Sequence, residues 1–519
     1  MISRLIKHSA GLCVIACSLT HSPAEAFQFR RNDSRKETPT AKDSTPAATT
    51  AATPAQQPLN PTHERIKIEA EQAYGIGDFS RSIQLTTSVL TQNPKDHVAL
   101  YLRSSARAEM GASRSDAKLI RDGIADAREA IRLSSGNIIN YYLPYLYGMV
   151  NLAAIESDNK HAESALEIAA QVLERKNLKE EDRSNVLYQR GTINTFLKRT
   201  DAAIADFAES VKLAPTNLGS LVGLAESYAA AGKNDQALEI FNRTVATYPS
   251  NAVVYNNRGM FLQKIGKTQD AIVDFTYAIE LDPNHVNAYT NRGFALIQEG
   301  DPEAAINDLN QSLKMNSDQA WVHTLRGDAL MAQGNFTEAI ADYKFVSDAD
   351  PKDSVAIANM GFARFLSDDK AGALAAFSKA FELDPTARHL NTWQYWTMVI
   401  GGQPDVARLR FSDSLKRAVT QRDWVDNLLI YLMGAMNEDD LIKAAQASAE
   451  TERDAHICEA QFFIGEKKLH SKEPNTAVDN FRLALECKGK HLWAYRGAQF
   501  EMKKFTNQQA AQPTVIEKR

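Results

Sequence analysis

The chain has 519 residues, 44% of them hydrophobic and 24% charged, with 59 Lys+Arg against 64 Asp+Glu for a formal net charge of −5. There is no basic tail and no aromatic–basic stripe of the kind that grips phosphate backbones, which excludes nucleic acid as a partner class. A chain of this length ordinarily makes several globular domains, unless its core grows unit by unit through an internal repeat.

Residues 1–26 read as a signal peptide, with Arg4 and Lys7 before an apolar run from Gly11 to Leu19 and small residues at Ala24-Glu25-Ala26. Cleavage there would leave Phe27 as the mature N-terminus. The apolar run is too short to cross a bilayer, and no other stretch approaches that length, so no transmembrane span is expected. Val14-Ile15-Ala16-Cys17 also reads as a lipobox that would put a lipid anchor on Cys17. Export to the periplasm is the preferred expectation, and an outer-membrane lipoprotein is the alternative. Residues 27–62 are rich in Thr, Ala, Pro, Gln and Ser and lack the large apolar residues a core needs, so they read as a disordered linker.

From residue 63 the pattern turns helical. Residues 63–96 fit one helical pair, with Ala70, Ala73, Ser82, Val89 and Pro94 in register; 97–136 fit a second, lengthened near Ala112–Arg121, and 137–183 a third. From 184 to 387 the chain then repeats every 34 residues, six times in phase. The twentieth place is Ala203, Ala237, Ala271, Ala305, Ala339 and Ala373; the eighth is Gly191, Ala225, Gly259, Gly293, Gly327 and Gly361. Phe207, Phe241, Phe275, Leu309, Tyr343 and Phe377 hold the twenty-fourth, and Pro or a turn residue holds the thirty-second. Small residues at places eight and twenty fit the contact line of two antiparallel helices. The period and these positions resemble the tetratricopeptide repeat (TPR). That resemblance implies an all-α solenoid of helical hairpins, a right-handed superhelix whose units pack on their neighbours.

Places four, seven, eight and eleven of each first helix are read as facing the core. By helical geometry, places two, five, six, nine, twelve and thirteen then project onto an inner, concave surface. Those places carry Asn256, Asn257, Met260, Asn287, Asn291, Phe294, Ile297, Trp321, Asp328, Met331, Asn359, Phe362 and Phe365. Asn257, Asn291 and Asn359 at place six resemble the asparagine ladder of TPR proteins that hold extended peptides, since an amide can donate and accept at one peptide bond. Protein or extended-peptide partners are therefore expected, on exposed polar positions interleaved with apolar ones.

After 387 the register fails, although Trp393, Tyr395, Trp396, Phe411 and Trp424 form an aromatic cluster. Residues 388–505 read as a degenerate helical region, and 506–519 as a flexible tail. A recognisable unit returns at 458–489, with Gly465, Ala477, Phe481 and Ala484 in place. This last quarter resembles NlpI-like bacterial envelope TPR lipoproteins, which implies an envelope adaptor. Cys458 and Cys487 read as the two ends of one hairpin and are expected to form a disulfide in an oxidising compartment. A zinc site adding His456 and His491 is the alternative, though no metal or other cofactor is assigned. No phosphate loop, zinc-protease, nucleophile-elbow or dinucleotide motif is present. The expectation is a non-enzymatic scaffold; a permanent assembly subunit, or an enzyme with a cryptic site in 388–457, are the alternatives.

Overall fold

The computed structural model describes residues 61–489 and 492–510. The signal-peptide reading, Cys17, His491, nearly all of the linker and most of the tail lie outside the described residues. Within them every regular element is a helix, in the expected all-α hairpins, and no helix is long and apolar enough to cross a membrane. The chain divides into two compact units, one ending at Phe261 and one starting at Leu262.

The first unit pairs α1 (Pro61–Gly75) with α2 (Phe79–Gln92), α3 (His97–Arg114) with α4 (Ala117–Leu133), and α5 (Tyr142–Glu156) with α6 (Asn159–Leu173). The lengthening near Ala112–Arg121 falls in the helices rather than in a loop. α3 and α4 run 18 and 17 residues and meet at a tight turn, with Ser115 left-handed at φ 52° and Asp116 capping the Leu119 amide at 3.0 Å. Buried Asp126 on α4 is matched by two cations, accepting from Arg103 Nη2 at 2.7 Å and Arg107 Nη1 at 2.6 Å. The regular hairpins follow: α7 (Glu180–Phe196) with α8 (Thr200–Leu213), then α9 (Leu218–Ala230) with α10 (Asn234–Thr247). α11 (Ala252–Lys264) carries the chain past the boundary.

The second unit holds α12 (Thr268–Leu281), α13 (Val286–Glu299) with α14 (Pro302–Met315), α15 (Ala320–Gln333) with α16 (Phe336–Ala349), and α17 (Ser354–Leu366) with α18 (Lys370–Leu383). The twentieth-place alanines are buried in all six regular repeats. The eighth-place glycines are required by the same contact. A Cβ on Gly191 would meet the Phe207 ring at 2.7 Å, and one on Gly327 or Gly361 would meet Tyr343 or Phe377 at 2.8 Å. Places eight and twenty-four are thus a glycine and the ring that fills its space, and burying such a ring stabilises by about 2–3 kcal/mol. Gly300 and Gly334 close α13 and α15 at φ 86° and 88°, where a side chain would be strained.

Place seven differs from the reading. It holds Arg190, Arg292 and Arg326 in three of the described hairpins, and each guanidinium forks onto the buried aspartate of the facing helix. Arg292 donates to Asp308 at 2.7 and 2.8 Å, Arg326 to Asp342 at 2.9 and 2.7 Å, and Arg190 to Asp206 in the same way. The position sits at the edge of the helix–helix seam, where a long stem packs while its head reaches a carboxylate.

Beyond 387 the helices shorten: α19 (His389–Ile400), α20 (Pro404–Arg410), α21 (Asp413–Lys416), α22 (Trp424–Leu432) and α23 (Glu438–Gln446). They are followed by α24 (Glu450–His470), α25 (Pro474–Leu485) and α26 (Trp493–Ala510). The short helices explain the lost register. Trp393 makes the aromatic cluster a core, with ring centroids 5.0 Å from Phe362, 5.3 Å from Phe462 and 5.1 Å from Phe463. In the last hairpin, Ala477, Phe481 and Ala484 are buried as the register required. Its first helix starts at Glu450, so Cys458 lies inside that helix rather than at its opening.

Candidate functional site

The inner-face residues do not share one environment. In the first unit Asn256 and Asn257 are buried, and the Asn257 Nδ2 has no hydrogen-bond partner while its Oδ1 accepts from Asn256 at 3.5 Å. Met260 beside them is half-buried and accepts a weak contact from Asn256 at 3.6 Å. In the second unit Asn287 is exposed, Phe294 and Ile297 are half-buried, and Trp321 is 39% exposed. Met331, further along the helix of Trp321, is buried, and in the next repeat Asn359, Phe362 and Phe365 are all buried, Phe362 only 1% exposed. The expectation that the ladder asparagines Asn257, Asn291 and Asn359 are exposed is therefore corrected: all three are buried. Place six is thus a buried position in these three repeats.

The second unit's own C-terminal helix seals the later places. α26 lays two faces against two surfaces. Ala494, Gly497 and Ala498 are small and seat on α24, where a Cβ on Gly497 would meet Phe462 at 2.6 Å. Trp493, Arg496, Phe500 and Lys503 recur at helical spacing on the other face. The Trp493 ring stacks on Phe362 with centroids 4.3 Å apart and planes 14° apart. Phe500 meets Phe336 edge-on at 4.7 Å. Arg496 pairs with Asp328 at 3.4 Å, and Lys503 Nζ donates to the Gln333 carbonyl at 3.3 Å. These contacts join residues about 130 to 170 positions apart. Sequence reading named Asp328 and Phe362 but missed Trp493, Arg496 and Phe500. The Trp-x-x-Arg-x-x-x-Phe-x-x-Lys spacing was the available signal.

Cys458 and Cys487, expected to form a disulfide, are both buried free thiols in this structure, with Cys458 Sγ donating to the Ala484 carbonyl at 3.5 Å and Cys487 Sγ to the Leu483 carbonyl at 4.0 Å. Burial first, then the proximity of Cys487, pushes the Cys458 thiol up. His456 belongs to a different arrangement. Its ring stacks on Trp424 at 4.5 Å, its Nδ1 lies 2.7 Å from Ser448 Oγ, and Trp424 Nε1 donates to Glu459 at 2.6 Å. These side chains, with His389, Arg422 and Asp423, line a cleft of ≈ 590 Å³. Burial lowers the His456 pKa and pushes Glu459 up to about 7, favouring neutral forms of both. In the segment that the sequence left open for a cryptic site, the structure pairs a hydroxyl with an imidazole. Among the described residues, no group of three His, Cys, Asp or Glu side chains is placed to hold a metal ion.

Comparison with known proteins bears on the repeats. Tetratricopeptide-repeat family models match residues 197–256, 252–285, 275–307 and 324–388. Similar solved structures include that from the functional characterization of Pseudomonas aeruginosa PilF, at 19% identity over 41% of this chain and 98% of that one, with a TM-score of 0.38. A tetratricopeptide repeat protein from Parabacteroides merdae shares 17% identity over 51% of this chain and 98% of its own, with a TM-score of 0.37. YrrB, described as a TPR protein with an unusual peptide-binding site, shares 18% over 35% and 93%, with a TM-score of 0.32. No curated protein matches the chain. The family matches, the in-phase 34-residue register and the glycine–ring contacts of the hairpins agree that tetratricopeptide repeats build residues 197–307 and 324–388 of this chain.

Proposed function

We propose that this chain is an exported, non-enzymatic TPR scaffold of the bacterial cell envelope that binds protein or extended-peptide partners on the inner faces of its first helices. TPR proteins bind such partners, and one observation carries the reading to particular residues. The strip runs over two first helices: Asn287 is exposed and Phe294 and Ile297 are half-buried on α13, and Trp321 is 39% exposed at the start of α15. An aromatic of that size left partly bare marks a contact surface better than a lone exposed leucine does. The envelope location rests on the charged start, apolar run and Ala-x-Ala site of residues 1–26. The resemblance of the last quarter to NlpI-like lipoproteins, read from the sequence alone, implies the same location.

The test has two parts. The mature N-terminus from native cells should begin at Phe27, with acylated Cys17 supporting the lipoprotein alternative and an intact Met1 in cytoplasm overturning export. Capture from envelope extracts should then be compared between the native chain and Phe294→Ala/Trp321→Ala. A partner lost from the folded variant supports the strip. Retention only under gentle washing fits a transient adaptor, and retention under stringent washing fits a permanent subunit.

A second reading has its own observation, the Ser448–His456 pair on the 388–459 cleft. A hydroxyl 2.7 Å from a neutral imidazole meets the first geometric requirement of a nucleophile and its base. A serine-reactive fluorophosphonate probe decides it: labelling lost on Ser448→Ala supports hydrolase chemistry, and no labelling of the native chain rejects it.

A further inference from the structure

The seating of α26 says what the closed part of the inner face is shaped to receive. Its partner surface is α15, the start of α16, and α17. That surface is held in place by contacts that do not involve α26. Tyr343 donates to Asp328 Oδ1 at 2.7 Å and fixes the carboxylate that meets Arg496. The Phe362 ring is braced edge-on by Phe377 at 4.9 Å and by Trp393 at 5.0 Å. The occupant supplies four groups on one stripe: a ring, a guanidinium, a second ring and an ammonium, at i, i+3, i+7 and i+10. Each meets one complementary feature, respectively the Phe362 face, Asp328, Phe336 and the Gln333 carbonyl at the C-terminal end of α15. Trp493 and Phe500 are only half-buried in this position. The rim is therefore open, and nothing in the stripe requires the helix to be covalently part of this chain.

We propose that the inner face of α15 and α17 is a receptor for an amphipathic helix with an aromatic–basic–aromatic–basic stripe, and that α26 fills it as a built-in competitor which a partner helix of that chemistry displaces. The proposal rests on the scaffold reading above and names the partner class for the closed half of the face. In the resting chain the receptor is occupied at the high local concentration that a tether imposes, so only a partner with a better-matched stripe, or one presented at high concentration, gains entry.

The experiment uses the full chain and a fluorescent synthetic peptide of residues 492–510. The native chain should bind the peptide weakly. Arg496→Asp, which sets a carboxylate against Asp328, should bind it at least about tenfold more tightly. Asp328→Arg/Arg496→Asp, which restores the internal pair with reversed charges and opposes the peptide's own Arg496, should return to weak binding. Hydrogen exchange of residues 493–506 reports release of α26 in each variant, and Arg496→Asp/Phe500→Ala weakens the seat further if one substitution leaves it docked. If exchange shows α26 released and the peptide still does not bind, the receptor is wrong. If α26 stays as protected as α24 in both weakened variants, it is fixed core and the competitor role is overturned. Peptide binding here, with no partner lost from Phe294→Ala/Trp321→Ala, would sink the open-strip reading and leave this one standing. Partner loss there with α26 locked would do the reverse.

Discussion

Phe294 and Phe362 occupy the same place in repeats two apart, yet one is half-open and the other is sealed under Trp493. Their local sequences put both on the inner face. The difference is made by α26, a helix from the far end of the unit that reaches one repeat and not the other. A repeat register therefore sets the direction in which a side chain points, and tertiary packing sets what it meets. Truncation should separate the two cases more strongly than any other change. Phe362→Ala removes a ring held by three aromatic neighbours and is expected to cost about 3–5 kcal/mol, while Phe294→Ala should cost roughly 1 kcal/mol or less. Chemical denaturation of both variants measures this. Equal costs would mean that the half-open strip is as tightly packed as the closed one.

The C-terminal region that supplies α26 is also where covalent stapling is expected. Cys458 and Cys487 are neighbours on the hairpin on which α26 seats. Closing their loop of about 30 residues would stabilise by roughly 3.6 kcal/mol in the chain-entropy model, less any strain. Intact mass of protein from its native compartment, alkylated without reductant, should be lighter by two hydrogens and carry no label on either cysteine. Reduction should then raise hydrogen exchange in α24–α26 first and leave α13 and α14 unchanged. Two labelled thiols in native material would remove the staple.

The closed region should also respond to pH in a way the open one does not. Glu466 on α24 is buried, and its Oε2 accepts from Trp396 Nε1 at 3.0 Å. Burial, reinforced by Glu501 of α26, pushes its carboxyl up to about 7, against 4.5 for an ordinary glutamate. The charged groups around it are Glu501 and Lys504, whose ammonium pairs with Glu501 at 2.6 Å, and the His470 ring packs on Trp396. A raised acid pKa means the native state holds the proton longer than the unfolded chain. The unfolded chain thus binds fewer protons across the window, and stability falls as pH rises from about 4.5 through 7. The penalty is complete above that range and amounts to roughly 3 kcal/mol. Glu466→Gln keeps an acceptor for Trp396 and should flatten this part of the profile, gaining stability at pH 8. An unchanged slope would assign the pH dependence to another group.

Much of this was readable in the residues themselves. Ala at place twenty and Gly at place eight announced a close helix–helix seam, because few other side chains fit where Tyr343 or Phe377 lies against a backbone. Ala477 and Phe481 announced the last hairpin by the same logic. Arg292 and Arg326 at place seven were harder to read, because a 3.6-residue period reports which face is inward and not that a guanidinium can lie on that face with a carboxylate waiting. The seat of α26 was half readable: its aromatic–basic stripe stands at helical spacing, but Arg496 and Asp328 are 168 positions apart, and no local pattern says what the stripe meets. Helix lengths after 387 were equally hidden, since short helices keep apolar residues but carry too few turns to show a phase.

The ladder asparagines give the finest test of the comparison, with the smallest expected effect. Asn257 and Asn359 share place six and both are buried, in the first and second units respectively. Asn257 leaves Nδ2 without a hydrogen-bond partner, so its side chain bears a desolvation cost that an alanine would not. Asn257→Ala should therefore be close to neutral for stability: the lost packing is offset by relief of that donor and by the better helix propensity of alanine. Asn359→Ala lies in the sealed region beside Phe362 and Phe365 and should cost about 1 kcal/mol, since no such relief is available there. If a peptide partner supplies the missing acceptor, Asn257→Ala should weaken its binding by about tenfold while leaving the melting temperature unchanged. A loss of stability at Asn257 equal to that at Asn359 would mean the Nδ2 is satisfied by bound water, and the inner face of the first unit would then have no unmet donor to offer a peptide.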